Sequence, residues 1–212
     1  MTTLIVIAKE PVPGRAKTRL CPPCTPDEAA ALAEAALRDT FTAVAAARAP
    51  RRVVVLDGRP GPWLPGGFEV IPQRAGGLAE RLAGAFDDVG APAFLVGMDT
   101  PQLTSELIEA GVAALESPGV DAVLGPAPDG GYWAVGLRRA DPRVFLGVPM
   151  STDGTLGAQR ERLDELGLSR AELPPLRDVD TIADAHAVAR ADPTTHFARA
   201  LATLASVGQP AR

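Results

Sequence analysis

Short apolar, β-branched runs alternate with helix-forming stretches along most of this chain, and that alternation constrains its fold more than any other feature. Residues 4–8, 53–56 and 93–97 read as buried strands, 68–71 as a short extended segment, and 122–125 and 132–137 as two strands flanking Asp129-Gly130-Gly131. Between them lie helical stretches. Thr25 is a good N-cap, Pro26 suits the first helical position and Glu28 closes a capping box, which predicts a helix running to about residue 47. Further helices are predicted over residues 78–88, from a cap at Thr104 or Ser105 to about 116, over 154–166, and as a late pair at 182–191 and 195–205. Strands alternating with helices argue for βαβ units and a mostly parallel sheet. In such sheets ligands bind beyond the carboxyl ends of the strands, so the segments 9–19, Asp57, 99–102 and 126–131 are where chemistry is expected.

The chain has 212 residues, enough for one sizeable domain, taken as 1–212. Its net charge of −5 is poor for a general nucleic-acid binder but leaves room for a local basic pocket. No apolar run reaches membrane-spanning length, and the N-terminus reads as a first strand rather than a signal peptide. Cys21 and Cys24 are the only cysteines, so no disulfide framework supports the fold, and a cytoplasmic location is the default expectation. Their spacing is redox-like, but two intervening prolines and the lack of further cysteines favour chance over a zinc or redox site. His186 and His196 fit no metal-binding spacing. Alanine-rich helices are compatible with an oligomer without specifying one.

Four segments carry candidate chemistry. The first, AKEPVPGRAKTRL (8–20), places Lys9, Arg15, Lys17 and Arg19 in one loop of an acidic protein, with Gly14 permitting close backbone approach. Clustered cations after strand one suit phosphate oxygens. The loop is neither a Walker A sequence, since Ala16 precedes Lys17-Thr18, nor a G-x-G-x-x-G fingerprint. The bland alternative is a solvated loop. In the second, Asp99 sits where a buried strand stops, positioned to hold Mg²⁺ against phosphates or simply to start a turn before Pro101. The third, Asp129-Gly130-Gly131, is either a hairpin turn or a bare backbone surface on which a sugar or acceptor lies, with Asp129 bonding a hydroxyl. In the fourth, Asp178 and Asp180 alternate around Val179. Either one offers a second carboxylate to a metal at Asp99, with Asp180 favoured, and Asp180 or Thr181 would cap the following helix. Ser151-Thr152 would touch a substrate or cap a helix.

Together these motifs resemble one bacterial family. The loop K-x-P-x-x-G-x-x-K-T-R-L, the segments G-x-D-x-P-x-L and G-P-x-x-D-G-G-Y, the late D-V-D-T, and Gln73 with Gly77-Leu78-Ala79-Glu80-Arg81 are similar to the radical-SAM/selenodomain-associated, glycosyltransferase-like transferases. That family resembles the nucleotide-diphospho-sugar transferase superfamily and, more distantly, 2-phospho-L-lactate and molybdenum-cofactor guanylyltransferases. The resemblance spans residues 9–184. It implies a GT-A-like three-layer α/β/α sandwich, with a nucleotide over the N-terminal half and an acceptor over the C-terminal half. It implies phosphate or nucleotide contacts from Lys9, Gly14, Arg15, Lys17, Arg19, Gln73 and Gly77, with Lys17, Arg19 and Asp99 as the catalytic set. It further implies a metal, Mg²⁺ or Mn²⁺, on Asp99 and Asp180, and acceptor or sugar contacts from Asp129, Gly130 and Gly131. Two departures stand out. The loop has one glycine and several prolines where many nucleotidyltransferases have a glycine-rich loop, and Asp99-Thr100-Pro101 replaces the Asp-x-Asp of many glycosyltransferases.

The expected activity is metal-assisted nucleotidyl transfer from a nucleoside triphosphate to a small phosphorylated acceptor. A phosphate is already nucleophilic at neutral pH, so no catalytic base is demanded, in keeping with the lack of a placed histidine. Glycosyl transfer from a nucleotide-sugar and a non-catalytic nucleotide-binding module are the alternatives. Neither a nucleic-acid nor a membrane partner is expected.

Overall fold

The computed structural model describes residues 1–207. Seven strands form one sheet: β1 (Thr3–Lys9), β2 (Arg52–Asp57), β3 (Glu69–Pro72), β4 (Ala93–Val96), β5 (Ala122–Pro126), β6 (Tyr132–Leu137) and β7 (Arg170–Glu172), in the spatial order β3-β2-β1-β4-β6-β5-β7. The β1, β2, β3 and β4 strands run parallel, β5 and β7 pair in parallel, and β6 runs antiparallel to both β4 and β5. Among the described residues six α-helices accompany it: α1 (Pro26–Ala46), α2 (Leu78–Val89), α3 (Ser105–Glu116), α4 (Thr155–Glu165), α5 (Ile182–Ala191) and α6 (His196–Val207). The mixed, mostly parallel sheet carries helices on both sides, as the sequence pattern requires.

Strand periodicity sorts the core into two layers. Leu4, Val6 and Ala8 face α1 and α3 with Phe41, Phe94 and Ile108, whereas Ile5, Val53, Val55 and Leu95 face α2 and α4 with Phe86, Phe145 and Leu163. A third apolar cluster lies behind α1, where Leu32 and Ala36 meet Val188 of α5 and Phe197 and Leu201 of α6. Its junction is fixed by Asp39, a buried carboxylate on α1 that accepts hydrogen bonds from the backbone N–H groups of His196 and Phe197 at 2.8 and 2.9 Å. Asp39 thereby satisfies N–H groups that the first turn of α6 leaves without helical partners.

The caps follow the sequence closely. Thr25 and Glu28 form a reciprocal capping box, Thr104 caps α3, and Thr181 rather than Asp180 caps α5, in a second box with Asp184. β7 has no counterpart in the sequence pattern, because Arg170-Ala171-Glu172 lacks an apolar run; its strand character comes from pairing with β5. Short 3-10 turns at Thr18–Leu20 and Pro142–Val144 are likewise not signalled. No helix among the described residues is long and apolar enough to cross a membrane.

Candidate active site

The carboxyl ends of β1, β2 and β4 open onto one rim. After β1, the buried Ala16 and Leu20 pin the loop, while Lys9, Arg15 and Arg19 stay exposed. Gly14 takes φ 74° with open space where a side chain would stand, so the loop's tip is bare backbone. Lys17 behaves differently from its neighbours. Its backbone is left-handed at φ 50°, its side chain is only 6% exposed, and its ammonium meets Asp99 Oδ1 at 2.6 Å and donates to the Val179 carbonyl. Arg19 reaches Asp180 Oδ2 at 3.1 Å. Lys9 and Arg15 make no direct ion pair among the described residues, yet their positive fields help hold the Asp57 carboxyl below the usual carboxylate range, after the larger effect of its hydrogen bond from Arg81.

The late aspartates reach this rim because the segment carrying them is bonded across it. Leu176 N–H donates to the Pro126 carbonyl at 3.1 Å, Gln102 to the Arg177 carbonyl at 2.7 Å, and Val179 N–H to the Asp99 carbonyl at 2.9 Å. Val179 is wholly buried against Leu20 and α1, so it anchors the segment while the aspartates on either side of it line different spaces. Asp178 lines a cleft of about 510 Å³ and Asp180 a neighbouring one of about 210 Å³; Asp99 lines both. Burial, reinforced by repulsion from Asp99, Asp129 and Asp180 and opposed by Lys17, pushes the Asp178 carboxyl up to about 7. Asp178, weighed in the sequence but not favoured there, thus shares the larger cleft with Asp99 and feels its charge, while Asp180 is held by Arg19. Thr100 Oγ1 and Gln102 Oε1, beside Asp99, are buried without a partner among the described residues.

The larger cleft runs from the end of β1 and the start of α2 to the start of β6 and Ser151. Gln73 and Gly77 both line it. Gln73 has its amide engaged with the Ala8 and Val55 carbonyls and with Arg81, so it braces the rim; Gly77 is the N-cap of α2, whose first N–H groups lack side-chain caps. Arg81, which the sequence left without a role, lines the cleft while paired to Asp57 at 2.7 Å. Asp129-Gly130-Gly131 forms the turn between β5 and β6, and none of the three lines the cleft. Asp129 Oδ1 accepts from Gly131 N–H at 2.9 Å, an Asx-type turn. Gly130 has φ 89°, and a Cβ there would lie 1.9 Å from the Asp153 carbonyl. Its bare face is thus taken up by the loop before α4, which corrects the expectation that it lies open to a ligand. Asp129 contributes its charge to the Asp178 environment.

The donor chemistry fits a hard divalent cation. Among the described residues no group of three or more His, Cys, Asp or Glu side chains converges on one point. Mg²⁺, however, takes one or two protein carboxylates and keeps several waters. Asp99, with one carboxylate neighbour in each adjoining cleft, supplies that number.

The family is set by the stretch of sequence that holds Asp57, Arg81 and Asp99, with the loop 9–19 and Asp178 and Asp180 lying outside it. The chain belongs to the DUF2064 family. The match covers residues 28–152, and the family's description is "Uncharacterized protein conserved in bacteria". No protein of curated function matches this DUF2064 sequence. Among solved structures, the DUF2064 chain is similar to a candidate nucleotide-diphospho-sugar transferase from Desulfovibrio desulfuricans G20, with 26% identity, a TM-score of 0.86 and coverage of 97% of this chain and 96% of that one. It is also similar to a cytidylyltransferase from Leptospira borgpetersenii (11% identity, TM-score 0.59, coverage 100% and 99%). A third likeness is to glucosyl-3-phosphoglycerate synthase from Mycobacterium tuberculosis, solved with Mn²⁺, UDP and glucosyl-3-phosphoglycerate (12% identity, TM-score 0.54, coverage 90% and 76%). At such low identity the last two show the fold alone. The DUF2064 chain has the GT-A-like fold of nucleotide-diphospho-sugar transferases.

Proposed function

We propose that this chain is a nucleotide-dependent transferase whose cleft grips a polyphosphate between the loop 9–19 and the carboxylates at the end of β4. One observation carries the reading: the cationic loop and the aspartates of two remote segments meet at one rim, Lys17 with Asp99 at 2.6 Å and Arg19 with Asp180 at 3.1 Å. The likeness to the D. desulfuricans protein over almost its whole length, and to Mn²⁺- and nucleotide-bound transferases in fold, supports it. Lys9 and Arg15, exposed and without direct ion pairs among the described residues, are free to take phosphate oxygens, and the uncapped start of α2 offers N–H donors along the same cleft. Asp99, with Asp178 or Asp180, would hold Mg²⁺ or Mn²⁺, which would supply positive charge to the phosphate oxygens. Catalysis by the chain's own groups is then positioning and electrostatic stabilisation: Arg19 and Lys17 neutralise charge on the leaving phosphates while the cleft orients the acceptor.

In the first reading the transferred group is a nucleotidyl unit, taken by a small phosphorylated acceptor with loss of pyrophosphate. A second reading, glycosyl transfer from a nucleotide-sugar, is favoured by a particular feature. The cleft wall from β6 onward is built of Tyr132, Trp133, Ala134, Ser151 and Asp178, without a lysine or arginine, which suits a hydroxyl acceptor better than a phosphate. A melting-temperature screen of nucleoside triphosphates and nucleotide-sugars, with and without Mg²⁺, tests the class, because a ligand of the native state raises its stability. A shift requiring both nucleotide and metal is expected; pyrophosphate release then marks the first reading and nucleoside diphosphate release the second. No shift with any nucleotide would overturn both.

A further inference from the structure

Of the four cations in the loop 9–19, three point outward and one is turned in. Arg19 is 71% exposed even in its pair with Asp180, whereas the Lys17 side chain is 6% exposed. Lys17 reaches inward from a left-handed backbone at φ 50°, one of two non-glycine residues with positive φ among those described. Its ammonium contacts Asp99 Oδ1 at 2.6 Å and the Val179 carbonyl, between the two segments that supply the carboxylates. Among the charges acting on the buried Asp178, Asp99, Asp129 and Asp180 repel its ionised form and Lys17 alone opposes them. The ammonium thus stands in the position of positive charge that a metal would otherwise fill, on an oxygen a metal would need.

We propose that Lys17 is a resident cation that keeps free divalent metal out of this carboxylate cluster, so that the site takes metal only as its complex with a polyphosphate. The proposal rests on the nucleotide reading of the site for its second half and on geometry alone for its first. A bare divalent cation approaching Asp99 must repel the ammonium, break its two contacts and leave it buried without a partner, a costly outcome for any charge. A metal–polyphosphate complex carries net negative charge and gives the ammonium new oxygens within reach of its flexible four-carbon stem. The lysine then passes from Asp99 to phosphate as the metal takes Asp99, and charge in the cluster stays balanced throughout. The loop's outward cations, Lys9 and Arg15, meet the polyphosphate first.

The test is Mn²⁺ binding to the full chain, followed by electron paramagnetic resonance of the free ion, in wild type, K17M and K17M/D99N. Wild type is expected to bind free Mn²⁺ weakly, and K17M at least about tenfold more tightly, since an unpaired carboxylate cluster attracts a cation more strongly. K17M/D99N is expected to lose that gain, which locates it at Asp99. Adding inorganic tripolyphosphate should bring Mn²⁺ onto wild type, and less so onto K17M. Equal affinity of wild type and K17M for free Mn²⁺ overturns the proposal. Should K17M fail to fold, the wild type decides alone: tight binding of free Mn²⁺ that tripolyphosphate does not improve overturns it, and binding that depends on tripolyphosphate supports it. A gain in K17M without polyphosphate or nucleotide binding by wild type supports the resident cation and sinks the nucleotide reading. Polyphosphate binding with no gain in K17M does the reverse.

Discussion

The two halves of the rim are built in opposite ways. The cationic half is a single stretch of sequence, with Lys9, Arg15, Lys17 and Arg19 inside one loop pinned by Ala16 and Leu20. The acidic half is assembled from remote places: Asp99 after β4, Asp129 in the β5–β6 turn, and Asp178 and Asp180 on a segment bonded over the sheet through Gln102 and Val179. A local cluster needs only its own loop to be ordered, whereas a dispersed cluster exists only when the whole sheet is folded. The acidic half should therefore respond to mutation through both chemistry and stability, and the cationic half chiefly through binding.

The largest effect is expected at the seam. Asp99→Asn keeps the shape but removes a charge facing Lys17 and any metal, so transfer activity should fall by at least about a hundredfold, the scale of losing one preorganised electrostatic contact. Because the Lys17 side chain facing it is only 6% exposed, the variant leaves that ammonium buried without its counter-charge, and the melting temperature should fall by several degrees as well. Product formation and thermal denaturation on the same samples check both statements. Full activity in the variant would detach the acidic half from the chemistry altogether.

Asp178 sharpens the comparison through pH. Its carboxyl is raised to about 7 in the fold, chiefly by burial and then by Asp99 and Asp129. A carboxyl raised on folding binds its proton more tightly in the native state, so its stabilising contribution is complete below about pH 4 and is lost as pH rises through about 7. In metal-free buffer the wild type should lose about 3–4 kcal/mol relative to Asp178→Asn between those limits, which denaturant titrations across the range would measure. Parallel pH curves for the two proteins would mean that Asp178 is not the strained member of the cluster.

On the cationic side, Arg15→Ala should weaken nucleotide binding about tenfold, the loss of one charge-assisted contact, while leaving stability within about 0.5 kcal/mol, as is usual for an exposed side chain. Titration calorimetry at two salt concentrations checks this, the difference between variant and wild type shrinking as salt rises. A loss of stability instead would show that the loop does structural work that its exposure conceals.

The same contrast explains what was legible beforehand. The basic loop could be read directly, because its residues are neighbours in sequence and a strand pattern precedes them. The helix starts were legible for the same reason: Thr25 and Glu28, Thr104, and Thr181 with Asp184 all act within one turn of the chain. Asp99 was legible as the residue at a strand's end. Choosing between Asp178 and Asp180 was not, since alternation puts both beside Val179 and only the path fixed by Val179's burial sends Asp178 into the larger cleft. Gly130 misled because a positive-φ glycine reads the same whether a ligand or, as here, the Asp153 carbonyl lies against it. β7 carried no signal, as a three-residue edge strand of Arg-Ala-Glu owes its form to its neighbour.

The smallest effect concerns Ser151, the other non-glycine residue with a left-handed backbone, at φ 59°. It lines the larger cleft opposite the cationic loop, and its hydroxyl has no hydrogen-bond partner among the described residues, whereas the next residue, Thr152, is engaged with Thr155 and Gly154. A non-glycine residue held at positive φ beside a cleft is a position at which function can be tested. Ser151→Gly relieves the backbone at some cost in unfolded-chain entropy, so the variant should be more stable by about 0.5–1 kcal/mol. Ser151→Ala keeps the strain and removes only the hydroxyl, so it should leave stability nearly unchanged. If both variants bind nucleotide as wild type does but raise the KM for acceptor by a similar factor, the hydroxyl acts on the acceptor, and the acidic half of the rim is where the second substrate is read. A stability loss in Ser151→Ala would assign the hydroxyl to the fold instead, and leave the acceptor to be positioned by Asp178 and Tyr132.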